Sequence, residues 1–83
     1  MEQMSMLTLA QKETLTAVAR EGDASRITSA AFIRKHSLQS ASMVQNSVRF
    51  LLEKQILTYR QDKGVKIYSV ADRFLRLWLV KMY

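Results

Sequence analysis

Five polar side chains crowd one stretch of the chain: Ser40, Ser42, Gln45, Asn46 and Arg49. Hydroxyl, carboxamide and guanidinium groups hydrogen-bond base edges and phosphates in a major groove. A guanidinium such as that of Arg49 fits the two acceptors of guanine, and the carboxamide of Gln45 or Asn46 fits adenine. Lys63 and Lys66 follow in a segment of different pattern, and lysines of this kind neutralise phosphate. Any solvated helix face carries serine, glutamine, asparagine and arginine, so solvation and polyanion recognition both remain open readings.

Bond-making chemistry has no comparable constellation. His36 is the one histidine and the chain has no cysteine. Converging metal ligands are therefore not expected, and His36 reads as a helix-end residue favourable to the helix dipole. No Walker-type phosphate loop or glycine-rich stretch occurs, and no serine stands with both a histidine and an acid in motif context. Glu53, Asp62 and Asp72 are scattered rather than paired. The expectation is a segment that is not an enzyme and holds no metal or cofactor of its own.

The formal charge is +6, and it is unevenly spread. Residues 1–23 set Lys12 and Arg20 against Glu2, Glu13, Glu21 and Asp23, for −2; residues 24–83 set the remaining 11 basic side chains against 3 acids, for +8. Such a surface attracts polyanions through Coulomb forces and counterion release, although it also simply keeps a small domain in solution. With 83 residues there is room for one domain. The absence of cysteine rules out a disulfide framework. No apolar run, Leu77–Val80 included, is longer than four residues, far below the ~20 that span a bilayer. Glu2 stands where a signal peptide would be basic. A cytoplasmic location without membrane contact is expected.

These side chains need elements to hold them. Thr8 and Gln11 fit a capping box, Leu15, Val18 and Ala19 line one helical face, and Gly22 suits a helix end. Residues 1–7 read as a flexible leader. Arg26-Ile27 reads as extended, with Thr28 capping a short second helix over 29–36 and Ile27 and Phe32 forming a hydrophobic staple. Ser37-Leu38-Gln39 is the following turn, anchored by Leu38. Ser40 caps a third helix from Ala41 to about Gln55. Its core face carries Val44, Val48 and Leu51, extended by Leu52, with Met43 and Phe50 at the core edge. Ser42, Gln45, Asn46, Arg49 and Glu53 point outward.

Beyond Gln55 the apolar period shifts from 3.6 to 2. Residues 56–60 and 65–70 read as two strands joined by Gln61-Asp62-Lys63-Gly64, with glycine where positive φ is wanted. Helix, helix, helix and hairpin, with a third strand at Arg26-Ile27, is the winged helix-turn-helix: mainly α with a small β-hairpin wing. A fourth helix runs from Asp72 to Tyr83. Phe74, Leu77 and Trp78 form one of its stripes; Leu75, Leu79 and Met82 form another. An all-round apolar helix is normally buried on more than one side. Phe74, Leu75, Trp78, Leu79 and Met82 are therefore expected to meet a partner surface.

Several stretches resemble one family. They are Gln11-Lys12-Glu13, Ala17–Gly22, Ile27-Thr28-Ser29, Phe32–His36, Ser40–Gln45 and Leu51–Lys54. The most specific is Tyr68–Leu79, in which an Asp-Arg-Phe step runs into a Trp-Leu pair just after the wing. Together they are similar to the C-terminal winged-helix domain of the archaeal-ATPase-like family of AAA+/STAND P-loop ATPases in bacteria and archaea. The resemblance implies a prokaryotic parent protein whose nucleotide-binding domain precedes Met1. ATP and Mg²⁺ would belong to that parent alone, and no ATP-site role is carried onto this chain. It also supplies a surface for the last helix, either the ATPase domain of the same polypeptide or a second copy in a homodimer. Members differ in whether this domain touches DNA. The function expected is binding of double-stranded DNA, with the third helix in the major groove and the wing on the backbone. The alternative is a regulatory module that packs on the ATPase core or self-associates without DNA contact.

Overall fold

A computed structural model describes residues 7–82, with side chains through residue 81. Four helices and three strands follow in the order α1 (Leu9–Glu21), β1 (Ala24–Ser25), α2 (Ala30–Lys35), α3 (Ala41–Glu53), β2 (Leu57–Asp62), β3 (Val65–Val70) and α4 (Arg73–Met82). The strands form one antiparallel sheet in the order β1-β3-β2.

The start of α1 is built as its sequence implies. The Thr8 hydroxyl accepts from the Gln11 amide at 3.2 Å, and the Thr8 amide donates to Gln11 Oε1 at 3.0 Å. That reciprocal pair satisfies two of the orphan donors of a helix N-terminus. Thr14 is fully buried, and its hydroxyl donates to the Ala10 carbonyl at 2.9 Å, so no polar group is left unpaired. Gly22 ends the helix at φ 80, its amide donating back to Val18 and Ala19. Leu7 is buried in the core, so the chain is already fixed at the last residue of the expected leader. Residues 1–6 of that leader lie outside the described residues.

The connection from β1 to α2 departs from the sequence reading. The third strand is Ala24–Ser25, two residues before the expected Arg26-Ile27. Arg26 takes a left-handed φ of 51, and its carbonyl accepts from the Ser29 amide at 3.0 Å. This turn stops the strand and delays the helix, so Ser29 rather than Thr28 is the cap, accepting from the Phe32 amide. Ile27 and Phe32 are both buried, as is Leu38 in the turn before α3.

In α3, Ser40 caps through the Met43 amide, and Val44, Val48 and Leu51 enter the core. The helix ends at Glu53, two residues short of Gln55, which takes φ 61. The hairpin is tighter than expected. Gln61 pairs with Lys66 and Asp62 with Val65, leaving only Lys63 and Gly64 in the turn, at φ 53 and 81. Two consecutive positive φ values are the signature of the type I′ turn, whose twist matches that of the flanking strands.

Asp72 starts α4, its Oδ1 accepting from the amides of Phe74 at 2.8 Å and Leu75 at 3.3 Å. The core then closes around α1, which packs against both α3 and α4. Leu15, Leu51, Leu75 and Leu79 are its largest fully buried side chains. Two residues expected on a partner surface, Leu75 and Leu79, are thus part of this chain's own core. The short chain spans enough of α4 with α1 to bury one face, and only one. Among the described residues no helix is long and apolar enough to cross a membrane.

Candidate nucleic-acid interface

Burial of Val44, Val48 and Leu51 fixes the rotation of α3, and everything opposite them is turned to solvent. Ser40, Ser42, Gln45, Asn46 and Arg49 are all exposed. The Ser40 oxygen accepts from the Met43 amide as the helix cap, and its hydroxyl can still donate its proton and accept at the second lone pair. Glu53 is exposed on the last turn of the same helix.

The wing approaches the same face of α3. Between them lies a groove of about 610 Å³, walled by Gln45, Val48, Arg49 and Leu52 of α3 and by Gly64, Val65, Lys66 and Tyr68 of the hairpin. The turn residues Arg26, Ile27 and Thr28 close its end. Three cations from a helix, a strand and a turn therefore line one groove: Arg49, Lys66 and Arg26. Among the described residues no acidic side chain lines it. Like charges that line one groove raise its local positive potential, the kind of electrostatic footprint a polyanion site has.

Lys66 has an aromatic neighbour. Its Nζ lies 5.0 Å from the ring centroid of Tyr59, and Tyr59 in turn sits 6.0 Å from Tyr68 across the β2–β3 register. A cation over an aromatic face is attracted by the ring quadrupole, which biases the exposed ammonium toward the Tyr59 ring. Arg60 behaves differently, since its Nη2 lies 3.4 Å from Asp23 Oδ2, which offsets its charge.

The sequence candidates thus divide. Gln45, Arg49 and Lys66 line the groove. Ser40, the cap of α3, and Ser42 and Asn46 on its exposed face lie outside it, and Lys63 is at the wing tip. Arg26 was not among the candidates. Its place in the groove wall goes with a left-handed backbone, at which only the nearby Thr28-Ser29 pair, a helix-start signal, could have hinted.

His36 stands apart from the groove. Its Nε2 and the Lys35 Nζ both lie 2.8 Å from Glu21 Oε2. The Lys35 hydrogen bond first, and the His36 bond second, hold the Glu21 carboxyl below its usual range. Among the described residues no group of three or more His, Cys, Asp or Glu is placed to hold a metal ion.

The α4 candidates divide as well. Phe74 is 80% exposed, whereas Leu75 and Leu79 are fully buried and Trp78 packs half-buried against the core. The side chain of Met82 lies outside the described residues. Leu77 and Val80, not among the candidates, are 52% and 48% exposed.

A family model described as "Probable winged helix domain" matches residues 1–81. The chain belongs to this winged-helix family. Among solved structures, the winged-helix chain is similar to the crystal structure of F-93 from SSV1, with a TM-score of 0.67. That similarity covers 92% of this chain and 83% of the other at 13% identity, a level that speaks to the winged-helix fold alone. No curated protein matches the sequence. The comparisons support the winged-helix part of the resemblance to the ATPase family and do not reach the ATPase part.

Proposed function

We propose that this winged-helix domain binds double-stranded DNA, with α3 entering the major groove and the wing lying along the phosphate backbone. The observation that carries the proposal is that Arg26, Arg49 and Lys66 line one groove that no acid lines among the described residues. Arg49, Gln45 and Asn46 are the side chains that would meet base edges, since all three project from the exposed face of α3. Lys66, Lys63 and Arg26 are assigned to phosphate. In this reading the segment binds but does not catalyse. ATP and Mg²⁺ belong to a P-loop domain of the same polypeptide, as the resemblance of Tyr68–Leu79 implies.

The test is a titration of duplex DNA at several salt concentrations. Three phosphate contacts alone give a slope of about −3 in log affinity against log salt. Absence of binding at low salt, or binding indifferent to salt, removes the proposal.

A second reading has its own observation. Phe74, Leu77 and Val80 are large apolar side chains left open on α4, and such exposure marks an interaction surface. A protein-docking role for α4 uses a different face from the groove, so the two readings are compatible.

A further inference from the structure

The face of α4 opposite Leu75 and Leu79 has a definite pattern. Leu77 is at its centre, with Phe74 and Val80 three residues to either side and Arg73 and Lys81 four residues to either side. All five are exposed. Residues three and four apart are neighbours on a helix surface, so these side chains form one patch. The patch has an apolar centre and a cation at each end. No acid occurs between Arg73 and Met82, and the nearest one, Asp72, is engaged in capping through the Phe74 and Leu75 amides.

Folding does not account for this patch. The core takes the opposite side of the helix, and a phenyl ring left 80% exposed gains almost nothing from burial. We infer that the patch docks an amphipathic helical segment of a partner protein, one whose apolar stripe is flanked by carboxylates. The inference rests on the second reading above and adds to it the chemistry of the occupant.

Charge decides between occupants. Were a second copy to place its own α4 here, an antiparallel crossing at Leu77 would set Arg73 against Lys81, and a parallel one would set each cation against itself. Both arrangements juxtapose like charges, which disfavours association. Carboxylates flanking an apolar stripe neutralise Arg73 and Lys81 while the stripe covers Phe74, Leu77 and Val80. An anionic lipid surface matches the charge less well in shape. An interfacial helix immerses its main apolar face, and here Leu75 and Leu79 are committed to the core.

The experiment uses the intact chain and three fluorescent synthetic peptides that share one helical leucine stripe and differ in flanks of Glu, Gln or Lys. Anisotropy is expected to rank affinity Glu above Gln above Lys, with about tenfold between the extremes, as a pair of exposed ion pairs supplies. Arg73→Glu with Lys81→Glu reverses the order. Phe74→Ser with Leu77→Ser abolishes binding while leaving the melting curve and duplex DNA affinity unchanged. Equal affinity for the Glu and Lys peptides overturns the acidic-partner inference but leaves α4 as a docking face. Failure of every peptide removes the docking reading as well. Two results reassign the patch and overturn the inference: a dimer in sedimentation that Phe74→Ser with Leu77→Ser dissolves, or phosphatidylserine vesicles binding more tightly than the Glu peptide. The DNA reading is judged separately by its salt dependence.

Discussion

Nε2 of His36 lies 2.8 Å from Oε2 of Glu21, a bond that ties the C-terminal end of α1 to that of α2. Lys35 reaches the same oxygen at 2.8 Å. The His36 ring also stacks at a tilt on Phe32, with centroids 4.6 Å apart. The short helix α2 thus gains a polar staple beside its apolar one.

A pH dependence follows from that staple. The folded Glu21 carboxyl has a lowered pKa, chiefly through the Lys35 hydrogen bond and then through His36. A depressed carboxylate stabilises the fold at every pH above its ordinary value near 4.5, and the contribution is lost as pH falls through the lower folded value. Glu21→Gln is expected to cost about 0.5–1 kcal/mol at neutral pH, since the pair is partly solvated. In strong acid the variant and the parent should unfold at the same denaturant concentration. Urea titrations at the two pH values make the comparison.

DNA affinity separates the groove cations from other surface charge. Lys66→Ala and Arg26→Ala should weaken binding to all duplexes alike and each flatten the salt slope by about 1. Arg49→Ala should cost about 1–3 kcal/mol and relax sequence preference, because a guanidinium on α3 can read guanine. Arg60→Ala is the control, since Arg60 is already paired with Asp23. A slope change as large for Arg60→Ala as for Lys66→Ala would mean that charge anywhere suffices.

How far the sequence reveals this site depends on which distances matter. Ser40 as a cap and Val44, Val48 and Leu51 as a buried stripe follow from spacing within one helix, so the outward face of α3 is legible in advance. The groove is not, because Arg26, Arg49 and Lys66 come to line one groove only when the wing and the β1–α2 turn are folded beside α3. Arg26 in particular has a backbone conformation that non-glycine residues seldom adopt. The α4 helix illustrates a different limit. Phe74, Leu75, Leu77, Trp78, Leu79 and Val80 surround the axis, so periodicity selects no inner side. Contact with α1 does, and it takes Leu75 and Leu79 inward.

The wing turn carries strain in a known place. Gly64 has φ 81, and an added Cβ would meet nothing within 4 Å, so a side chain there is opposed by backbone conformation alone. Gly64→Ala should therefore cost about 1 kcal/mol without any packing defect. Lys63, at φ 53, bears a similar penalty. Lys63→Asn should recover roughly 0.5 kcal/mol, because asparagine tolerates the left-handed region and suits this turn type. Denaturant midpoints of the two variants should shift in opposite directions.

The rotation of α4 is tested by two adjacent residues. Leu75 is fully buried between α4 and α1, so Leu75→Ala leaves a cavity and should cost about 2–5 kcal/mol. In a domain of this size that is a large share of a total stability of roughly 5 kcal/mol, and the variant should be partly unfolded at ambient temperature. Phe74 is 80% exposed, and Phe74→Ala should change stability by no more than about 0.5 kcal/mol. Trp78 reports both, being the only tryptophan and half-buried against the core. Its emission should shift to the red in Leu75→Ala and keep its parent maximum in Phe74→Ala. Comparable losses in the two variants would mean that the phenyl ring is covered within the chain, and the open patch on α4 would disappear with that result.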